Sequence, residues 1–224
     1  TKAWSLFADL TYDVSEKFAV SLGGRYTNDK RSADVFRASY LGSASPFFGN
    51  DAAIFLSSTS DFENSRTFKD FSPRIALDYA ISDDAKIYAS FSRGFKAGSF
   101  DPRGANFSSP EVELGFEPET LDSYEAGLKS TWWDGRARTN IAVFYSKYKD
   151  MQVPGSLPVD TDGDGQNDDF VGTVTNAGEA EIKGIEFEGE FLLSENLSLQ
   201  TTFNVLDADI KEWILNGVNV ADQR

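Results

Sequence analysis

The sequence predicts an antiparallel all-β protein that crosses a membrane as a β-barrel, and three observations lead to this prediction. Apolar and polar residues alternate over unusually long segments. Very short and long connections follow one another in strict alternation along the chain. Aromatic residues stand beside the short connections, where a spanning strand would leave the lipid. Together these patterns favour a spanning barrel over a soluble sheet.

The alternation is clearest in segments 2–14 and 18–27. Since successive side chains of a strand point to opposite faces, each segment has one apolar and one largely polar face. The apolar positions are Trp4, Leu6, Ala8, Leu10, Tyr12 and Val14 in the first segment, and Phe18, Val20, Leu22 and Tyr26 in the second. Such strands suit an environment with lipid on one side and water on the other.

Six further segments carry strand patterns, which gives about eight strands in all. They are 71–81, 86–96, 121–132, 137–149, 183–193 and 197–206. The two faces of 86–96 and 137–149 differ less clearly, so their inward and outward sides stay open. Strands of globular proteins average roughly 5–6 residues, whereas a strand that spans a bilayer needs about 9–11. The predicted lengths match the spanning class.

The connections divide into two groups. Four are short, at 15–17, 82–85, 133–136 and 194–196, and three are long, at 31–66, 98–118 and 151–173. Outer-membrane barrels have short turns on the periplasmic side and long loops outside the cell. The alternative, in which the neighbouring aromatics form the core of a soluble sheet, stays open at this point.

Composition excludes several classes of function. The chain has no cysteine and no histidine, which removes disulfides, thiolate nucleophiles and the usual general base and zinc ligand. A net charge of −15 argues against nucleic acid as a partner, because phosphate binding needs a basic face. Glu186, Glu188 and Glu190 alternate along one strand face, so they line one wall instead of facing each other across a substrate. We expect no enzymatic activity.

Several stretches resemble TonB-dependent receptors of the bacterial outer membrane. They are SLGGRYT at 21–27, FSPRIAL at 71–77, IYASFSRGFK at 87–96, PETLDSYEAGLKS at 118–130, NIAVFY at 140–145 and NAGEAEIKGIE at 176–186. The resemblance implies that the eight strands belong to a 22-stranded barrel with a plug in its lumen. It also implies binding of a scarce nutrient outside the cell, most often a ferric siderophore, and import with energy delivered by TonB. The family also serves cobalamin and oligosaccharides.

Against that pattern, residues 1–224 are interpreted as a partial barrel domain. We find no plug domain, no TonB-contacting segment and no terminal aromatic strand. The amino end enters a strand pattern at once and the carboxyl end is not a strand finish, so both ends are interpreted as cut. Contact with the TonB complex would therefore run through the missing plug, while outer-membrane lipid would surround the barrel. Two other functions stay open. One is a passive porin-like barrel, and the other is a soluble all-β carbohydrate-binding module using Trp4, Trp132, Trp133 and Trp213.

Two groups of residues are candidates for ligand contact. Phe47 and Phe48 lie in the aromatic-rich segment 31–66, and exposed aromatic clusters can form ligand surfaces. Arg93, Lys96 and Arg103 stand near the outer end of the fourth strand, where they could bind an anionic ferric chelate by charge-assisted hydrogen bonds. The alternatives are that the aromatics pack against neighbouring loops and that the cations pair with acidic side chains.

An aspartate-rich run gives the sharpest local motif. Its candidate calcium ligands are Asp160, Asp162, Asp164, Gln166 and Asp168, because carboxylates at alternate positions can converge on one hard cation. The twelfth position is Val171 and not the bidentate glutamate of an EF-hand, and no helix pattern flanks the run. A looser Ca²⁺ loop over 160–169 and a flexible acidic loop both remain open. We expect no other cofactor.

Overall fold

The computed structural model describes residues 1–42, 46–107, 109–160, 165–167, 169–176, 178–215, 218–219 and 221. Eight strands form one antiparallel sheet, and each pairs with the next in this series: β1 (Lys2–Ser15), β2 (Phe18–Leu41), β3 (Ile54–Ser82), β4 (Ala85–Lys96), β5 (Glu119–Trp132), β6 (Ala137–Lys149), β9 (Ala180–Ser194) and β10 (Leu197–Ile210). The predicted fold class is confirmed, and β1 and β10 are the two edges of this open part of a barrel wall.

The remaining elements lie outside the main sheet. A hairpin joins β7 (Gln152–Val159) to β8 (Asp169–Asn176), and a very short one joins β11 (Ile214–Leu215) to β12 (Val218–Asn219). Two 3-10 helices cover Pro46–Phe48 and Pro110–Leu114. Over the ranges that the structure describes, no helix has the length and apolar character needed to cross a membrane.

The register places the apolar residues of neighbouring strands on one face of the sheet. Partners across a ladder point to the same side, and Ile75, Phe91, Tyr124 and Tyr145 are successive partners from β3 to β6. This row fixes the outward faces of 86–96 and 137–149, which the sequence left open. On the same face Ile75 and Tyr124, which belong to inner strands, are 43% and 49% exposed, as expected of a surface that meets lipid instead of a protein core.

Two rows of aromatic residues bound the apolar face. On the turn side Phe18 is opposite Tyr79, and on the loop side Tyr26 is opposite Phe71. The two pairs are about 26 Å apart along β2, at roughly 3.3 Å per residue. Outer-membrane barrels carry an apolar band about 25 Å tall between two aromatic girdles. The sheet therefore has the dimensions of a membrane wall.

Strands β2 and β3 continue far beyond the loop-side aromatic row. The sequence predicted a loop at 31–66, but the structure has β2 up to Leu41 and β3 from Ile54, paired as a two-stranded ribbon. The prediction of an irregular loop was wrong because it required apolar residues at the positions that continue the lipid-facing side of the strands. Beyond the membrane those positions are polar, as at Ser32 and Ser65, which are partners in the ladder.

The inward face of the ribbon carries the apolar residues instead. Val35 and Phe62 are opposite each other and buried, and they form a small core with Phe100 and Val112 from the segment after β4. The pattern thus reverses its phase where the ribbon leaves the lipid. The change of environment explains the reversal, because outside the membrane water lies on the outer side and packed protein on the inner side.

Hydrogen bonds fasten segment 98–118 to the ribbon. The buried hydroxyl of Ser60 donates to the Gly104 carbonyl at 2.5 Å, and the Asp61 amide donates to Oδ1 of Asn106 at 3.0 Å. Asn106 in turn donates to a carboxylate oxygen of Glu113 at 2.7 Å. These contacts give the long loop a fixed shape on top of the barrel wall.

The third predicted loop, 151–173, is also only partly irregular. It contains β7 and the first part of β8, which pair from Gln152 with Asn176 to Val159 with Asp169. The Asn176 side chain donates to the carbonyls of Glu117 at 2.9 Å and Asp150 at 2.8 Å. The hairpin is therefore attached to the neighbouring loop at its base.

Replacing Gly104 with alanine should loosen segment 98–118. A Cβ at this position would overlap the Cγ1 atom of Val112, and overpacking of this kind costs about 1–3 kcal/mol. We expect limited proteolysis of the membrane-embedded protein to cut 98–118 about fivefold faster or more, since cleavage follows the open population. Gly155→Ala is the matched control, because nothing lies within 4 Å of its added Cβ. Equal cleavage in both variants would contradict the packing described.

Candidate functional site

The main opening in the wall lies where β3 and β4 separate, and Pro73 sets its position. The β3–β4 ladder ends at Arg74 with Ser92, although β3 continues on its other side with β2. The Ala80 amide donates to the Lys17 carbonyl at the start of β2. Successive amides of a strand point to opposite sides, so the even-numbered positions in this part of β3 face β2 and the odd-numbered positions, including 73, face β4. Proline has no N–H to donate there. The ladder therefore stops and β4 departs from the ribbon.

Basic side chains line the cleft that opens at this point. The cleft has a volume of about 590 Å³ and is lined by Arg25, Thr27, Asp29, Arg31, Ser72, Pro73, Arg74 and residues 92–97. Four of its lining residues are basic with side chains that the register turns inward (Arg25, Arg31, Arg74 and Lys96), and one is acidic (Asp29). Arg93 also lines the cleft, but the register turns its side chain to the outward face of β4. In a chain with a net charge of −15, this cationic cleft is a local exception that attracts anions.

The cations of the cleft differ in how far they are neutralised. Arg31 donates to Asp29 at 2.7 Å, while Arg74 is 3.4 Å from Asp9 in a pair whose side chains are both 51% exposed. Arg25 makes no ion pair with the residues placed by the structure. Arg25 and Arg74 are thus the two cations most available to a ligand, because exposed pairs contribute little.

One pair inside the cleft is incompletely satisfied. The Asp29 side chain is largely buried, and its Oδ1 atom lacks a hydrogen-bond partner among the described atoms, as does the Nε atom of Arg31. Buried polar atoms without partners are costly, so they favour a ligand or water that can bond to them.

The structure brings together only part of the predicted ligand-contact set. Arg93 and Lys96 are both at the cationic cleft, with the Lys96 side chain on the inward face and the Arg93 side chain on the outward face. Both have acidic partners, since Arg93 donates to both carboxylate oxygens of Asp122 at 2.6 and 2.7 Å, and Lys96 is 3.6 Å from Glu119. These two residues therefore pair with acidic side chains, which was the alternative to ligand contact that the sequence left open.

Arg103 lies apart from the cleft, in segment 98–118. It binds the buried Asp101 carboxylate through Nη2 at 2.7 Å and Nε at 3.0 Å. Burial raises the pKa of Asp101, but the hydrogen bonds and charge of Arg103 outweigh this, so the net pKa is lowered. Arg37 donates to the backbone carbonyl of Arg103. This arrangement anchors the loop and leaves the guanidinium committed to Asp101.

The predicted aromatics stand at the far tip of the ribbon. Phe47 and Phe48 belong to the short 3-10 helix between β2 and β3 and are 75% and 89% exposed. The Phe47 ring packs against Phe36, with 6.1 Å between centroids. Roughly ten residues of strand, about 33 Å, separate this tip from the cleft, so the aromatics and the cations form two different surfaces.

Sequence reasoning missed the contribution of Arg25, Arg31 and Arg74. Arg25 and Arg74 were visible as polar positions on the inward face. Gly23 is the partner of Arg74 and Ser72 is the partner of Arg25, so the two arginines are diagonal neighbours. That pairing register is the signal that would have found them. Arg31 lay inside a segment predicted to be a loop.

The predicted calcium loop lies partly beyond the described residues. Asp162, Asp164 and Asp168 are outside them, whereas Asp160 and Gln166 are inside. Asp160 accepts a hydrogen bond from the Gly165 amide at 2.7 Å, and Gly165 has a φ of 86°. Calcium binding here stays a prediction.

A second cavity, of about 680 Å³, lies on the inward face near the short turns. Its charged lining includes Lys86, Lys129, Arg138, Glu188 and Glu190, so unlike the cationic cleft it has both signs. The acidic row Glu186–Glu190 faces inward as expected, opposite Ala142, Asn140 and Arg138 of β6. The row follows one strand, and Asn140 donates to Glu188 at 3.3 Å.

The four tryptophans do not share one surface. Trp4 lies near the loop end of β1, packed on Tyr26 with 5.6 Å between centroids. Trp132 and Trp133 are at the turn end of β5, and Trp213 follows β10. Rings placed at opposite ends of a membrane wall do not form a carbohydrate platform.

Comparison with known proteins gives one consistent result. The family model for TonB dependent receptor-like β-barrels matches residues 1–222. The pesticin receptor of Yersinia pestis is 26% identical over 210 residues, which are 91% of this chain and 25% of that protein. The metal-pseudopaline receptor CntO of Pseudomonas aeruginosa is 27% identical over 150 residues, covering 67% of this chain and 18% of that one.

Solved structures agree in fold. The ferric yersiniabactin uptake receptor FyuA from Yersinia pestis superposes with a TM-score of 0.71 at 20% identity, over 93% of this chain and 27% of that chain. The ferric preacinetobactin receptor BauA from Acinetobacter baumannii gives a TM-score of 0.60 at 20% identity, over 94% and 26%. The chain spans about a quarter of the length of the first relatives it matches.

Calcium should bind the detergent-purified protein if the acidic loop holds a cation. Isothermal titration with CaCl₂ would then release or absorb heat, with a dissociation constant of about 0.1–1 mM, which is usual for extracellular modules. Asp160→Asn should weaken the binding, whereas Asp9→Asn, far away on β1, should leave it unchanged. Absence of heat at millimolar calcium would reject the site.

Proposed function

Because the chain belongs to the TonB-dependent receptor family, we propose that it forms part of the barrel wall of a receptor that imports an anionic ferric chelate, most simply a ferric siderophore. The wall is an outer-membrane β-barrel with its long loops towards the cell exterior. In this proposal the chelate enters between the ordered loops and binds on the inward face. Import then draws on energy delivered by TonB.

The cationic cleft carries the proposal. Siderophores hold iron through negatively charged oxygen groups, and many of their ferric complexes keep a net negative charge. Arg25 and Arg74 have the least neutralised charges in the cleft, and guanidinium groups bind such oxygens by charge-assisted hydrogen bonds. The cleft lies just below the ordered loops, where a ligand that arrives from outside first meets the inward wall.

Relatives with related ligands support the same choice. The similar proteins include receptors named for ferric yersiniabactin, ferric preacinetobactin and metal-pseudopaline. Each of these names joins a metal, ferric iron in two of them, to a second compound. The proposal takes the class of ligand from these names and its site on this chain from the charges of the cleft.

A plug domain and the TonB complex are the proposed partners. The mixed charges near the short turns, among them Lys86, Arg138 and Glu190, would face a plug that fills the lumen. A surface with both signs of charge can make complementary ion pairs with such a partner. The cationic cleft, higher on the wall, would stay accessible to the ligand.

The double substitution Arg25→Gln/Arg74→Gln in the full-length protein should weaken binding of the chelate. A hydrogen bond to a charged group contributes about 1.5–3 kcal/mol, so loss of even one such contact lowers the affinity about tenfold or more. The measurement is uptake of radiolabelled iron by iron-starved cells, supplied with hydroxamate, catecholate or carboxylate siderophores one at a time.

The matched control is Lys147→Gln/Lys183→Gln, which removes two cations from the outward face of the wall. We expect it to import iron like the unaltered protein when both are present in the membrane at equal amounts. The proposal fails if none of the ferric chelates is imported by the unaltered protein. It also fails if the cleft variant imports iron as fast as the control.

A further inference from the structure

The lipid-facing side of the wall distributes its cations unevenly. Within the described main-sheet strands, the cations that the register places on the outward face all stand at or beyond the loop-side aromatic row. They are Lys2, Lys30, Lys69, Arg93, Lys147, Lys149 and Lys183. The turn-side end of the same face has none within these strands. The asymmetry places positive charge at the headgroup level of one leaflet.

Three of these cations form a compact group on β1–β3, which we call the lysine triad (Lys2, Lys30 and Lys69). Lys2 is directly opposite Lys30, and Asn28 is the partner of Lys69, so Lys69 is diagonal to Lys30. Side chains directly opposite each other have Cβ atoms about 4.5–5.5 Å apart, and like charges so placed are destabilising. The triad therefore has an unfavourable arrangement of charge.

Other opposed cations in the chain are compensated by neighbouring groups. Lys86 is opposite Lys129, but Lys86 pairs with Asp78 at 3.4 Å and Lys129 lies over the Tyr88 ring at 5.1 Å. Arg31 is likewise opposite Arg66, and each has its own carboxylate, at 2.7 and 2.6 Å.

The lysine triad differs because its residues make no ion pair with any described residue. The nearest carboxylates on the same face of β2 and β3 belong to Asp34 and Glu63. By register they lie about 13 Å beyond Lys30 along the strand. Elsewhere in the outward row, Arg93, Lys147 and Lys183 each pair with a carboxylate. Lys149 likewise makes no ion pair within the described chain, but it stands singly, so the triad is the cluster of the row that lacks counter-charge from the described residues.

The position of the triad indicates where its counter-charge comes from. Trp4 and Tyr26 pack together directly below it, at 5.6 Å between ring centroids, and paired aromatics of this kind lie at the membrane–water interface. Lysine side chains at this level extend towards headgroups while their methylene chains stay in the apolar zone. Anionic lipid headgroups attract such basic clusters.

From these observations we propose that the lysine triad, with Trp4 and Tyr26 beneath it, is a binding site for the phosphate groups of lipid headgroups in the outer leaflet. The phosphates bridge Lys2, Lys30 and Lys69 and supply the charge that the chain itself lacks. The site faces lipid, on the opposite side of the wall from the cationic cleft. Its occupancy is thus separate from nutrient binding in the lumen.

The test measures lipid binding by the detergent-purified full-length protein, with bisphosphorylated lipid A as the probe. The double variant Lys30→Gln/Lys69→Gln should bind it about thirty-fold more weakly, on the basis of about 1 kcal/mol per lysine near an anionic surface. The matched control, Lys86→Gln/Lys129→Gln, removes two inward lysines and should bind like the unaltered protein. Inorganic phosphate and the dephosphorylated lipid separate a headgroup site from a site for free anions or for acyl chains.

Two further measurements keep the outcome decisive. Lys30→Arg/Lys69→Arg keeps the charges and should retain lipid binding. Without lipid, Lys30→Gln alone should not lower the melting temperature, because it removes repulsion from Lys2. The proposal is overturned if Lys30→Gln/Lys69→Gln binds bisphosphorylated lipid A like the unaltered protein. It is also overturned if the dephosphorylated lipid binds equally well, or if inorganic phosphate at equal concentration displaces the lipid.

Discussion

The rest of this structure depends on the need of every backbone N–H and C=O group to find a partner inside the lipid. No water reaches the hydrocarbon region, and an unpaired group there costs several kcal/mol. Eight strands joined edge to edge in one continuous antiparallel sheet meet most of this need between the two edge strands β1 and β10. The side chains are then free to match their surroundings, so the outward face can be apolar and the inward face polar.

Much of the fold was predictable because the two faces of a spanning strand have such different environments. The period-two spacing of apolar residues such as Leu6, Leu22 and Leu77 predicts which face meets lipid. The register places all three on that exposed face. The extension of β2 and β3 was not predictable by the same rule, because beyond the membrane the apolar residues change sides. Val35 and Phe62 kept the period of two but with the opposite phase.

The candidate site was harder to predict because it depends on which strands are neighbours and where their pairing ends. Arg93 and Lys96 were found from the sequence, since they close a recognisable strand near a long segment. Arg25 and Arg74 join them only through the β2–β3 register. Arg103 failed to join them because the nearby Asp101 binds it first. Charge alone indicated candidates, and local pairing decided which of them share the cleft.

The missing backbone N–H of Pro73 also affects how the wall is assembled. β3 is 29 residues long, and a strand of that length offers many alternative alignments with its neighbour. Any shift of β3 that carried position 73 further towards the short turns would leave a β4 carbonyl deep in the bilayer without a donor. The energetic penalty would reject that alignment during insertion. One residue thus limits the alignments that β3 and β4 can adopt, and it also ends their ladder beside the cationic cleft.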